Sequence, residues 1–79
     1  MMTDLEEKLS QIFRLVLQFP DDADTSGIRR INEVRWDSLA NVTLVTALES
    51  EFGITLDSHE MERLTSYRAV LLLLSEKRQ

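Results

Sequence analysis

Leu5, Leu9, Ile12, Phe13 and Val16 recur at three- and four-residue intervals. That spacing gathers apolar side chains on one side only if the segment is an α-helix. The same period returns in Leu39, Val42, Val45, Leu48 and Phe52, and again where Tyr67, Val70, Leu71 and Leu74 are expected to share a face. Ile54-Thr55-Leu56 is too short for a strand and has no partner run. The punctuation agrees with a helical chain. Thr3-Asp4-Leu5-Glu6 is a capping-box pattern, and Pro20 ends the first helix. Asp37 or Ser38 opens the second, with Gly53 as the residue just past its end. Asp57 or Ser58 opens a short third helix holding Met61 and Leu64, and Thr65 or Ser66 opens a fourth. The spacing therefore predicts an all-α fold, a small four-helix bundle of three main helices plus one short helix, with residues 1–79 as a single domain. Residues 20–36 make a connection longer than a bundle loop needs, so Ile28, Ile31 and Val34 are expected to pack inward. Leu71 to Leu74 cannot all face one core, so one surface leucine is expected among them.

The 79 residues contain no cysteine. Disulfide scaffolds, Cys-ligated metal centres and a cysteine nucleophile are excluded. A chain of this size buries only about 60–65% of its unfolded surface, so regular helix packing has to supply the stability and little room is left for an enclosed active site. A role as something carried, bound or recognised is favoured over a catalytic one. The formal net charge is −5, and residues 37–62 hold six acids with no Lys or Arg. Such a surface suits docking to basic patches and argues against binding nucleic acid or an anionic membrane. The longest apolar run, Ala69 to Leu74, is six residues, far short of a span. With no basic and apolar leader at the N-terminus, the cytoplasm is the expected compartment.

Asp37-Ser38-Leu39 sits where the connection becomes an acidic helix. A hydroxyl there faces the unpaired N–H groups of the first turn, which would stabilise a phosphate ester on that oxygen. Ser and Asp are also common helix caps, and the three residues alone do not separate the two roles. Their surroundings do. Trp36-Asp37-Ser38-Leu39, followed by Leu44-Val45-Thr46-Ala47-Leu48-Glu49-Ser50-Glu51-Phe52-Gly53-Ile54 and by Met61-Glu62-Arg63-Leu64-Thr65-Ser66-Tyr67, resembles the acyl carrier proteins. The likeness covers Trp36 to Leu74 well and residues 1–19 in pattern only. It implies a four-helix, non-enzymatic carrier domain, monomeric, whose Ser38 receives 4′-phosphopantetheine from coenzyme A through a phosphopantetheinyl transferase. An acyl intermediate would then be held as a thioester for a fatty-acyl, polyketide-like or other specialised pathway. The implied partners are that transferase, an acyl-activating ligase or acyltransferase, and downstream biosynthetic enzymes. Asp37, Glu49 and Glu51 would be docking charges, with Leu39 and Val42 as apolar contacts beside the arm.

The sequence departs from the family pattern in places. Arg35 stands where Gly is frequent. Ala40, Thr43 and Ser50 occupy three places that are acidic in carriers of general fatty acid synthesis, which points to dedicated partners. Asp37 before the serine favours an acyl over a peptidyl or aminoacyl load. Trp36 reads as an apolar plug for the junction, and His59 as a surface residue. Leu44, Leu48, Met61 and Leu71 are candidate walls of an inducible acyl pocket. A rival reading comes from the connection: Asp22, Asp24, Ser26, Gly27 and Glu33 follow the spacing of a calcium loop. Arg29 and Arg30 lie inside that loop and no second loop pairs with it, so no metal site is expected, and a calcium-binding helical module is the alternative.

Overall fold

The computed structural model describes residues 3–77. Helix α1 spans Asp4–Leu17, α2 Ser38–Phe52, α3 Ser58–Glu62 and α4 Tyr67–Lys77, with one 3-10 turn at Arg30–Asn32 in the long connection. No strand forms among the described residues; one isolated antiparallel bridge joins Arg29 to Ser66.

The helix starts follow from local hydrogen bonding. Thr3 Oγ1 accepts from the Glu6 N–H at 3.2 Å, and the Thr3 N–H donates back to Glu6 Oε1 at 3.1 Å, closing the anticipated capping box. The Thr3 N–H and the Thr3 hydroxyl, both donating to the Glu6 carboxylate, hold it below its ordinary range. Asp57 and Glu60 repeat the device at α3. A five-residue helix has too few bonds to stand alone. Glu60 ties it to α4, its Oε2 accepting from Lys77 Nζ at 2.7 Å, and Arg63 makes a paired contact with Glu76. α1 ends at Leu17, ahead of Pro20, the residue expected to end it. Gln18 turns left-handed at φ 61, and the Phe19 N–H closes onto the Arg14 carbonyl.

α1 packs against both α2 and α4. Leu9, Phe13 and Leu17 from α1 meet Leu44 and Leu48 from α2 and Tyr67, Val70, Leu73 and Leu74 from α4. In the core the Phe13 ring makes T-shaped contacts with Trp36, at 5.2 Å, and with Tyr67, at 5.3 Å. Such T-shaped pairs add about 0.5–1.5 kcal/mol beyond their buried area. Two polar side chains share this interior. Ser10 Oγ lies 2.8 Å from Thr25 Oγ1 and 3.0 Å from the Tyr67 hydroxyl, which donates to the Glu6 carbonyl at 3.1 Å. The chain of hydroxyls is satisfied throughout, and it fastens the connection to α1 and α4 at one point.

Several apolar expectations are corrected. Ile28 is half-buried, but Ile31 and Val34 are 83% and 89% exposed. The connection is held by backbone instead: the Arg30 N–H donates to the Thr65 carbonyl, and the Tyr67 N–H to the Ile28 carbonyl, both at 2.9 Å. On α2, Leu39 and Val42 are exposed while Val45 and Leu48 are buried. Leu39 and Val42 stand about 120–180° round the helix from the buried Leu44 and Leu48, on the side turned from the core. On α4 the fully buried leucines are Leu73 and Leu74, with Leu71 half-buried and Leu72 the surface leucine.

Tyr67→Phe should lower stability by about 1–2 kcal/mol in urea melts, because Ser10 loses a partner inside the core. Acid should also loosen the α3–α4 link. The Lys77 ammonium, with the Asp57 N–H, holds the Glu60 carboxyl below its usual 4.5. The link is thus complete above pH 4.5 and is lost as pH falls through the lower native value. The melting temperature should drop over that range, and Glu60→Gln should flatten the drop.

Candidate functional site

The connection reaches α2 through a tight turn. The Arg35 N–H donates to Glu33 Oε1 and the Trp36 N–H to the Glu33 carbonyl. Trp36 then turns fully inward, leaving 2% exposed, as the plug expected at the junction. Its indole N–H donates to Asn41 Oδ1 at 2.9 Å. The Arg35 guanidinium lies over the Phe19 ring, 4.8 Å from its centre.

The cap of α2 is Asp37. Its Oδ1 accepts from the Ala40 N–H at 2.8 Å, and its backbone is extended. Ser38 is the first helical residue, exposed, and takes no part in capping. The N–H groups of Ser38 and Leu39 have no intrahelical acceptor, and the positive end of the helix dipole lies there. A serine hydroxyl held in water at this position is open to an incoming enzyme. A phosphodiester on it would face the free N–H groups of the first turn.

A helix advances about 100° and 1.5 Å per residue, which sorts the other candidates. Val42 and Glu49 lie within about 40° of Ser38 and share its face. Leu39 stands about 100° round and lines a groove with Leu15, Arg35, Thr43 and Ala47. Glu51 is about 140° round and faces away from Ser38. Glu49 is half-buried, and its Oε2 accepts from the Leu56 N–H at 2.9 Å, so this acid also holds the α2–α3 turn. Leu44 and Leu48 are fully buried, Leu71 packs against the core, and Met61 is exposed.

In the connection, Asp24 Oδ1 accepts from the Ser26 N–H and hydroxyl, which keep its carboxyl below the ordinary range. Glu33 instead serves the Arg35 turn. The structure does not bring Asp22, Asp24, Ser26 and Glu33 together, and among the described residues no three acids or histidines are grouped to hold a metal ion. His59 is exposed. What residue types had not revealed is Asn41. An Asn four residues into the helix looks like any polar surface position until the indole beside it is placed.

No described helix is long and apolar enough to cross a membrane. The family described as "Phosphopantetheine attachment site" matches residues 7–74. The "Acyl carrier protein" of Petrotoga mobilis is 35% identical over 74 residues, 94% of this chain and 87% of that protein. "Acyl carrier protein 2, chloroplastic" of Spinacia oleracea is 32% identical over 63 residues, 80% of this chain and 48% of that protein. "Acyl carrier protein 5, chloroplastic" of Arabidopsis thaliana is 31% identical over 70 residues, 89% of this chain and 50% of that protein. The chain thus spans about half the length of these chloroplastic relatives.

Proposed function

Because the chain belongs to the acyl carrier protein family, whose members are carriers rather than enzymes and bear phosphopantetheine, we propose that Ser38 is the residue to which the arm is joined. The observation that carries this is the division of labour at the start of α2. Asp37 does the capping, which leaves the neighbouring Ser38 hydroxyl exposed and without a structural task. When bound, the group supplies the thiol that a chain without cysteine lacks. The residues of this chain do the rest. Ser38 offers the attachment oxygen, and the N–H groups of Ser38 and Leu39 with the helix dipole stabilise the negative phosphodiester. Val42 and Glu49 form the surface that an enzyme reaching Ser38 must meet.

The cargo is an acyl group, in line with the names of the relatives, and the protein works as a monomer in the cytoplasm. Its partners are a phosphopantetheinyl transferase, an acyl-activating ligase or acyltransferase, and later enzymes of a fatty-acyl or specialised pathway. Dedicated partners are favoured by Arg35 and by the missing acids at Ala40, Thr43 and Ser50. Asp37 beside the serine and Glu49, about 16 Å further along α2 on the same face, are the docking charges, with Glu51 left to a different flank.

Incubation with coenzyme A, magnesium and a broad-specificity transferase should raise the intact mass by one phosphopantetheine. Ser38→Ala should gain nothing; a gain in that variant would displace the assignment. Glu49→Gln keeps an acceptor for the Leu56 N–H and removes the charge. It should slow arm attachment up to about fivefold at low salt, as expected of one half-buried charge at the helix surface. The difference should vanish at high salt with the melting temperature unchanged.

A further inference from the structure

Trp36 and Asn41 occupy a defined relation to the cap. With Asp37 as the cap, Trp36 is the residue before it and Asn41 the fourth residue of the helix. In many helices these two positions hold an apolar pair that fixes the angle at which the chain meets the helix. Here the pair is joined by a hydrogen bond, from the indole N–H to Asn41 Oδ1 at 2.9 Å. Asn41 also donates its own N–H to the Asp37 carbonyl at 2.9 Å. One residue therefore grips both Trp36 and Asp37, and Ser38 lies in the loop these bonds close. The far side of the clasp is anchored, because the Trp36 ring is buried edge-on against Phe13.

We infer that Trp36 and Asn41 form a polar clasp that positions the Ser38 hydroxyl for attachment of the arm. The inference rests on Ser38 being the attachment residue. Neither side chain touches the reacting atoms, so both are positioning residues. In the reaction an O–P bond forms at Ser38 Oγ, the pyrophosphate bond of coenzyme A breaks and 3′,5′-ADP leaves. The hydroxyl proton passes to a base of the transferase. A hydroxyl free to swing with a loosened first turn spends less time in line with phosphorus, and such misplacement lowers turnover more than affinity.

The test compares the full-length wild type with Asn41→Ala, Asn41→Asp, Trp36→Phe and the Trp36→Phe/Asn41→Ala double variant. Each is a substrate for a broad-specificity transferase with coenzyme A and magnesium. Asn41→Ala and Trp36→Phe should each lower kcat about tenfold with KM for the carrier changed less than about twofold. The double variant should be no slower than either single one, because both remove the same bond. Asn41→Asp keeps an acceptor and should stay within about twofold of wild type. Amide exchange by NMR supplies a readout independent of the transferase. The indole N–H of Asn41→Ala and the backbone amides of residues 40 and 41, which bond to Asp37, should exchange faster, with those of α4 unchanged. Wild-type kcat in Asn41→Ala, multiplied losses in the double variant, or exchange raised uniformly through the molecule would each overturn the clasp. A wild type that takes up no arm would instead overturn the Ser38 assignment, and the clasp's role with it.

Discussion

Phe13 makes T-shaped contacts with both Trp36 and Tyr67, and the three main helices and the connection share the core that holds these rings. Without cysteines, a chain of 79 residues has no covalent means to hold a connection as long as residues 18–37. The rings do it by burial. Trp36 fixes the end of the connection, and the Tyr67 hydroxyl, through Ser10, fixes its middle at Thr25. A buried hydroxyl is costly when unpaired, so the chain from Thr25 to the Glu6 carbonyl is specific as well as stabilising. The position of Ser38 is a consequence: it lies two residues beyond the deepest anchor of the connection.

The fold was legible where periodicity and caps agreed. Thr3 with Glu6, Asp57 with Glu60 and Gly53 all stand where their residue types imply, and the helices follow from them. Ile31 and Val34 were misread because β-branched residues in a long connection look like core. The interior place was already filled by Trp36, and the connection is tied by main-chain bonds that side-chain patterns do not announce. Leu39 and Val42 keep an apolar spacing along α2 but stand on its outer side, across from the buried Leu44 and Leu48. The choice between Leu71 and Leu73 turns on the rotation of α4, which four consecutive apolar residues leave open. At the site, Ser38 was legible from its surroundings. That Asp37 and not Ser38 does the capping was not, since both residue types fill the role.

The acids also have more than one use. Counted along the sequence they suggest a surface made for docking. In the structure Glu6, Asp37, Asp57 and Glu60 accept hydrogen bonds at helix starts, and Glu49 fastens the α2–α3 turn. Much of the negative charge is thus spent on N–H groups that lack helical partners, where it complements the positive end of each dipole. Near Ser38 the charge left for a partner is small, and exposed Val42 and Leu39 supply the broader contact.

Trp36 is the chain's one tryptophan, and it is sealed in the junction that precedes Ser38. All indole emission from the protein therefore comes from this single place. Its wavelength reports the dryness of the junction, and its quenching reports the approach of neighbouring groups. The molecule carries its own optical gauge of the one turn on which its chemistry depends, with no second fluorophore of that kind to blur the reading.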